Sequence, residues 1–420
     1  MLKHRLPNGT RVAAQEMPGF SSVSMGVWIN AGSVYEDEGE SGAAHFIEHM
    51  LFKGTRTRSA AVIAEEMDAV GGNLNAFTGK ECTCFYGRVL RRDAAVLTDI
   101  LSDLVCNASL APEDIEREKG VVLEEISMTE DTPEDLVNEL ATAAFYEGDP
   151  LAKPILGTAG SVRSFTREKL VSYMGRLYRP EDMVISVAGS FSESELIPML
   201  EDKFSAFGER SVPRTPFGKH IPGRRFAAAA KDIEQAHICV CLPGFRKDTP
   251  ESYAQLVFSN AFGGSMSSRL FQKIREEKGL AYSVYAYPTT YADSGFVTLY
   301  AGTGPENAAE VSRLMREELS AALSGGVSEA ELERSKQQLI SSFLMSREST
   351  VSRCSALGRA ELMNGRILTE AEVIANIEAV TRESILSVLP VICSEEDVSA
   401  AVVGRISGQE DELRRILLCE

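Results

Sequence analysis

The sequence is short of the features that mark membrane proteins and nucleic-acid-binding proteins. No apolar stretch approaches the roughly 18 residues that a membrane-spanning helix requires. The start of the chain has no apolar run of about 7–15 residues, so we also expect no secretory signal. Basic residues are scarce, since 43 Lys and Arg stand against 61 Asp and Glu, which gives a net charge of −18. This acidic balance argues against nucleic acid or an anionic membrane as a partner.

Metal-binding and redox cysteine motifs are absent as well. None of the eight cysteines forms a C-x-x-C pair, which argues against a zinc ribbon or a thioredoxin-type site. Cys82 and Cys84, like Cys239 and Cys241, form C-x-C pairs in strand-like runs. Each pair is predicted to lie on one face of its strand as small buried side chains. The expected compartment is a reducing cytoplasm.

What the sequence does contain is an internal repeat around a central break. The stretch 213–223 has Pro and Gly without apolar periodicity, so it is predicted to link domains at 1–212 and 224–420. The tetrapeptide EREK at 116–119 recurs as ERSK at 333–336, 217 residues later. We therefore predict an α+β fold class with two homologous α/β-sandwich domains, each an antiparallel-rich sheet packed with helices, related by internal duplication.

Two of the five histidines share one motif, HFIEH, which contains His45, Glu48 and His49. On a helix, His45 and His49 lie one turn apart on the same face and can bind a single ion. This H-x-x-E-H order is that of the inverzincins, in which the glutamate acts on a water beside a catalytic zinc. At the offset of the repeat, the two histidines fall on Phe262 and Met266. A metal site is therefore predicted in the first domain only.

A third ligand must come from another segment, and the helix predicted at 112–129 is its best source. Glu118 and Glu125 are two helical turns apart and share a face, whereas Glu124 is rotated by about 100° from Glu125. The alternative is that these glutamates form a solvated acidic face. Against it, Val121 and its apolar neighbours indicate a buried middle, where a carboxylate needs a partner or a metal. Spacing alone leaves the choice between Glu124 and Glu125 open.

These motifs resemble those of the M16 zinc metallopeptidases, which include the mitochondrial processing peptidases and the insulin-degrading enzymes. The resemblance covers essentially the whole chain and is carried by GAAHFIEHMLFKGT at 42–55, GGNLNAFT at 71–78 and EREKGVVLEEI at 116–126. It is closest to the short-chain bacterial branch, which is similar to the beta subunit of mitochondrial processing peptidase. It implies that Glu125 completes one Zn²⁺ site per chain and that Glu118 supports the ligands without binding the metal.

The resemblance also implies residues that contact a peptide substrate. On the family's edge strand beside the metal, where a substrate adds as a further strand, these are Asn73, Asn75, Ala76 and Phe77. Arg275 and Tyr282 match the family's pair that orients the substrate carbonyl and stabilises the oxyanion. From the residues alone, the alternatives are an ordinary strand after a Gly-Gly turn, a solvated charge at Arg275 and a half-buried strand residue at Tyr282.

The implied function is that of a zinc-dependent endopeptidase acting on peptides or unfolded polypeptide segments, with Glu48 as the general base. Short-chain members of the family pair two chains around a closed chamber. The resemblance therefore implies a homodimer in which Arg275 and Tyr282 serve the zinc of the opposite protomer. The net charge of −18 suggests a preference for basic peptides. Two alternatives are a non-catalytic scaffold or presenting subunit of an M16-type complex, and a maturation peptidase of narrow specificity.

Overall fold

A computed structural model describes residues 1–205 and 220–420, which form two compact units. The first unit contains Met1–Ile126, the described part of Lys153–Phe217, and Leu344–Leu368. The second contains Ser127–Ala152, the described part of Gly218–Phe343, and Thr369–Glu420. Each unit thus takes one stretch from the opposite half of the chain. The predicted domains 1–212 and 224–420 follow the duplication along the sequence and stay a prediction, and most of the predicted linker 213–223 lies outside the described residues.

The described residues form two sheets of the same design. The strands are β1 (Leu2–Arg5), β2 (Arg11–Glu16), β3 (Ser22–Ile29), β4 (Asn73–Thr78), β5 (Thr83–Leu90), β6 (Met183–Gly189), β7 (Arg224–Ala230), β8 (Ala236–Pro243), β9 (Ala281–Thr290), β10 (Gly295–Thr303) and β11 (Val398–Gly404). The first sheet has the order β1-β2-β6-β3-β5-β4, and the second has the order β7-β11-β8-β10-β9. Only β2 with β6 and β7 with β11 are parallel pairs in these two sheets. The second sheet therefore repeats the first from β2 onward, and the predicted antiparallel-rich pair of homologous sheets is confirmed.

Helices cover both faces of each sheet. They are α1 (Ala43–Leu51), α2 (Ala60–Ala69), α3 (Ala94–Asn107), α4 (Pro112–Asp131), α5 (Pro133–Phe145), α6 (Ala159–Arg163), α7 (Arg167–Leu177), α8 (Glu193–Phe204), α9 (Pro250–Gly263), α10 (Ala308–Gly325), α11 (Glu329–Ser346), α12 (Thr350–Asn364), α13 (Glu370–Glu378), α14 (Arg382–Ile392) and α15 (Glu410–Leu418). In the first unit, residues of α1, α3, α4, α7 and α8 share one apolar core with the sheet. In the second unit, α9, α10, α14 and α15 do the same.

The opposite face of the first sheet packs against α12, a helix from the second half of the sequence. Trp28 of β3 and Cys84 of β5 are buried against Cys354 and Leu357 of this helix. The approach is close enough to require glycine at position 358, because a Cβ there would lie 2.0 Å from Trp28 Nε1. This helix explains why β3 is buried on both faces rather than on alternate residues.

In the second unit, α5 of the first half of the sequence covers the equivalent face. The Ser399 hydroxyl of β11 donates a hydrogen bond to the carbonyl of Ala141 at 2.7 Å. Cys239 of β8 lies 3.4 Å from the side-chain oxygen of Asn138. The helices α5 and α12 therefore hold equivalent places in the two units, and each is supplied by the other half of the sequence.

The cysteines and the apolar segments follow the sequence analysis. Cys82, Cys84, Cys239 and Cys241 are buried, as predicted for two C-x-C pairs, and all eight cysteines of the chain are free thiols. In the part of the chain that the structure describes, the helices are all too short or too polar to cross a membrane.

Candidate metal centre

The helix α1 that carries both motif histidines is fixed at its first turn. It begins after Gly42, whose φ of 90° lies in the left-handed region. A side chain at Gly42 would put its Cβ 2.5 Å from the Leu156 carbonyl oxygen. The cap comes instead from Glu36, whose buried carboxyl accepts hydrogen bonds from the backbone N–H groups of Gly42 and Ala44 at 2.9 and 3.0 Å. Burial raises the pKa of Glu36 to about 8.

The structure brings His45, His49 and Glu125 together. Glu125 Oε2 on α4 lies 3.6 Å from His45 Nε2 and 3.4 Å from His49 Nε2. One donor atom from each of the three side chains lies within 4.8 Å of the others, and no second such group occurs in 1–205 and 220–420. Two imidazole nitrogens and one carboxylate oxygen form a donor set that zinc prefers, with a fourth position left for water or substrate. Glu125, rather than its neighbour Glu124, is the glutamate of this group.

The protonation of the histidines also suits a metal. Burial lowers the pKa of His45 to about 4, and the neighbouring His49 charge acts in the same direction. His45 is therefore neutral near pH 7, and a neutral imidazole is the form that binds a metal. The ring centroids of His45 and His49 are 4.6 Å apart, as expected for one turn of helix.

A buried carboxylate, that of Glu118, contacts the ring nitrogen of His49 that does not face Glu125. Glu118 Oε1 lies 2.8 Å from His49 Nδ1, and Glu118 is only 3% exposed. A carboxylate on this nitrogen leaves Nε2 free to face a metal and fixes the ring orientation. The other oxygen of Glu118 lies 2.7 Å from Lys53 Nζ. The sequence analysis identified Glu118 and missed Lys53, which lies in the turn after α1 and has no motif of its own.

Glu48, the predicted general base, is partly buried next to His49. Its Oε2 accepts a hydrogen bond from the Thr78 hydroxyl at the end of β4, at 2.5 Å. Burial raises the pKa of Glu48, and the Thr78 hydrogen bond opposes part of this effect. Burial also raises the pKa of Tyr178, with a further contribution from the charge of Glu48. Thr78 ends the GGNLNAFT motif but was given no role in the sequence analysis, and Tyr178 was not singled out by it.

The predicted substrate strand is the edge strand β4. It pairs with β5 on one side and ends the order of the first sheet. Asn73, Asn75 and Phe77 are exposed, whereas Ala76 packs toward the core. The ring of Phe77 contacts that of Trp28 edge-on, with centroids 5.5 Å apart. Because β4 ends the strand order, an extended peptide can add to its edge, where the Ala76 N–H donates a hydrogen bond to Asn75 Oδ1 at 2.8 Å.

Arg275 and Tyr282 lie together in the second unit. The Arg275 guanidinium is 4.6 Å from the centre of the Tyr282 ring and donates a hydrogen bond to the Tyr282 carbonyl oxygen at 2.8 Å. Tyr282 is 74% exposed, so its hydroxyl is available to a ligand. At the repeat offset of 217 residues, this unit has the buried Phe262 and the exposed Met266 in place of the two histidines, and neither is a usual zinc ligand in proteins.

The site combines two imidazoles from one helix, a carboxylate from a second helix and a separate, partly buried glutamate. This set is that of a metal-dependent hydrolase. The family comparison agrees with this class. Residues 11–159 match the family model described as Insulinase (Peptidase family M16), and residues 164–339 match that described as Peptidase M16 inactive domain. Together with the relatives below, these matches show that the chain belongs to peptidase family M16.

Curated relatives match nearly the whole chain. An uncharacterized zinc protease of Bacillus subtilis is 40% identical over 385 residues, which cover 91% of this chain and 93% of the relative. An uncharacterized zinc protease of Mycobacterium tuberculosis is 40% identical over 403 residues, which cover 95% of this chain and 92% of the relative. The predicted M16 resemblance is thereby confirmed, while the finer likeness to the beta subunit of mitochondrial processing peptidase stays a prediction.

Solved structures show the same fold at low sequence identity. A protease from Helicobacter pylori has a TM-score of 0.89 at 18% identity, covering 96% of this chain and 99% of that chain. A peptidase M16 inactive domain from Pseudomonas fluorescens has a TM-score of 0.87 at 19% identity, covering 96% and 97%. The two-sheet architecture is therefore shared with other M16 proteins.

Proposed function

We propose that this protein is a zinc-dependent endopeptidase that hydrolyses peptides or unfolded polypeptide segments. The observation that carries the proposal is the convergence of His45, His49 and Glu125 beside the partly buried carboxyl of Glu48. The relatives named zinc proteases support zinc as the metal, one ion per chain. A non-catalytic scaffold has no need of this intact set, so we favour the enzyme.

In peptide hydrolysis, one set of residues binds the metal and another residue transfers protons. Zinc held by His45, His49 and Glu125 would supply Lewis-acid chemistry, which activates water and polarises the scissile carbonyl. Glu48 takes the proton of the attacking water and then delivers it to the leaving amine. Its partial burial, which raises its pKa, makes it a better proton acceptor than an exposed glutamate.

The peptide would lie extended along β4, with main-chain hydrogen bonds to the strand edge. Asn75 and Ala76 would contact the backbone of the peptide, and the exposed Asn73 and Phe77 would contact side chains on the outer face. Because such bonds do not depend on sequence, this mode suits unfolded segments of varied composition. The acidic balance of the chain, −18, supports a preference for basic peptides.

We further propose a homodimer around a closed chamber, in which Arg275 and Tyr282 serve the site of the opposite protomer. The support is that one chain carries the metal-binding set in its first unit and the Arg275–Tyr282 pair in its second. Two copies of this one chain would therefore supply all the groups of both sites. We place the protein in the cytoplasm, where its eight free thiols would stay reduced.

The proposal is tested by zinc content and peptide cleavage in the wild type and the Glu48→Gln variant. We expect about one zinc per chain in both proteins and a loss of at least a thousandfold in cleavage of an unstructured basic peptide for E48Q. Glu124→Gln, a neighbour of the metal-binding Glu125, is the matched control and should cleave like the wild type. A wild type without zinc and without cleavage contradicts the proposal, and an active E48Q contradicts the role of Glu48.

The action of Tyr282 across protomers has a separate test. E48Q and Tyr282→Phe chains are each expected to have low activity, and mixed dimers should regain part of it because one of their two sites has both groups. Subunit exchange is followed with differently tagged chains. Exchange without any gain in cleavage would show that Tyr282 does not serve the opposite protomer.

A further inference from the structure

We propose that Lys53 is a positioning residue for the metal site and acts on the metal ligand His49 through Glu118. The three side chains are connected by two successive polar contacts in the first unit. Lys53 Nζ lies 2.7 Å from Glu118 Oε2, and Glu118 Oε1 lies 2.8 Å from His49 Nδ1. The proposal rests on the metal site of the proposed function but not on peptidase activity.

The burial of Glu118 makes a second partner necessary. Its side chain is 4% exposed, so water does not stabilise its charge. His49 provides one hydrogen-bond donor to one carboxylate oxygen, which leaves the other oxygen for Lys53. Without Lys53, the second oxygen of Glu118 loses its cationic partner, and the carboxylate then turns toward water and away from His49 Nδ1.

The placement of Lys53 follows from the sequence of α1 and its end. Lys53 lies in the turn that follows the end of α1 at Leu51, and its ammonium, like the His49 ring, contacts Glu118 of α4. Glu118 lies two helical turns before Glu125 along α4, so this helix places one carboxylate at His49 Nδ1 and the other near His49 Nε2. Lys53 is 35% exposed in its side chain, so its ammonium keeps contact with water while it binds Glu118.

A positioning role for Lys53 and a simple charge effect predict opposite changes in zinc affinity when Lys53 is replaced by an uncharged residue. Removal of a positive charge near a cation site raises the affinity for the cation if only Coulomb attraction matters. Removal of the group that holds Glu118 lowers the affinity, because His49 loses its orientation and its tautomer. Loss of a group behind a metal ligand typically weakens metal binding about 10–100-fold. Lys53 acts one contact further away, so we expect the lower end of that range.

The experiment measures zinc affinity of the full-length chain by competition with a chelator, without any peptide. We expect Lys53→Met to bind zinc about tenfold more weakly than the wild type and Lys53→Arg to stay within about threefold, since arginine retains the charge and donors. Lys119→Met is the matched control, because Lys119 is paired with the exposed Glu116 on α4 at 2.7 Å and has no link to a histidine. K119M should bind zinc like the wild type. Lys53→Gln replaces K53M if the latter does not fold.

A double-mutant cycle tests the path through Glu118. In a Glu118→Gln background, K53M should cause no further loss of zinc affinity, since its partner carboxylate is gone. Equal affinity of K53M and the wild type, a higher affinity of K53M, or an equal loss in both backgrounds would each overturn the inference. A wild type that does not bind zinc would overturn the proposed function as well, so the two failures are distinguishable.

Discussion

The cap of the metal-binding helix gives the sharpest stability prediction. Glu36 accepts hydrogen bonds from the N–H groups of Gly42 and Ala44, and Gly42 itself cannot carry a capping side chain. Glu36→Ala leaves two buried donors without a partner. Each unsatisfied buried donor costs about 1–3 kcal/mol, so with partial entry of water we expect a loss of roughly 2–4 kcal/mol in the free energy of unfolding.

The assay is urea unfolding of the metal-free protein, followed by the fluorescence of Trp28. Trp28 is the single tryptophan of the chain and lies in the first unit, so its signal reports on the unit that contains the metal centre. The matched control is Glu38→Ala, since Glu38 is an exposed glutamate two residues away. A free energy of unfolding for E36A within about 0.5 kcal/mol of that for E38A would refute the capping role.

The pH dependence of the same variant has a defined sign. Burial raises the pKa of Glu36 from 4.5 to about 8. Between these pH values the folded chain binds more protons at this group than the unfolded chain, so the stabilising contribution of Glu36 falls as the pH rises from about 5 to 8. The deficit of E36A relative to E38A should therefore be largest near pH 5 and shrink toward pH 8. A deficit that grows with pH would show that Glu36 is ionised in the folded chain.

Two further substitutions test contacts within the first unit. Gly358→Ala places a Cβ 2.0 Å from Trp28 Nε1, so we expect a loss of about 1–3 kcal/mol by the same unfolding assay; an unchanged midpoint would show that α12 shifts at no cost. Thr78→Val removes the hydrogen bond to Glu48, and we expect kcat for peptide cleavage to fall about tenfold because the carboxylate loses its orientation. Thr78→Ser should restore it, and equal rates for both variants would contradict the role of the hydroxyl.

Local spacing predicts the helices of the metal site because the information lies within a few turns. The HFIEH motif places His45 and His49 on one face of α1, and Pro112 stands at the first turn of α4, where proline is tolerated. The predicted helix 112–129 differs from the observed one by only two residues at its end. The repeat is likewise recognised from a short segment, the EREK tetrapeptide that recurs as ERSK. It predicts two domains of the same design.

Contacts between residues far apart in the sequence cannot be predicted from local residue spacing. Glu124 and Glu125 differ by one step around the helix, and only the packing of α4 on α1 puts Glu125 between the histidines. The Lys53–Glu118 pair spans 65 residues and has no sequence signal of its own. The apolar face of α12 shows that the helix is buried, but amphipathicity does not say which sheet it covers.

Because α12 comes from the second half of the chain, the first sheet cannot be covered on both faces until most of the protein has been synthesised. The strands of the first sheet, with Trp28 and Cys84, are made before residue 190, but the helix that covers this face ends at Asn364. Until that helix has left the ribosome, the nascent metal-binding half exposes an apolar sheet face to the cell. The part of the protein that is translated first is thus completed late, and a chain that terminates before α12 would leave that face open to aggregation or to chaperones.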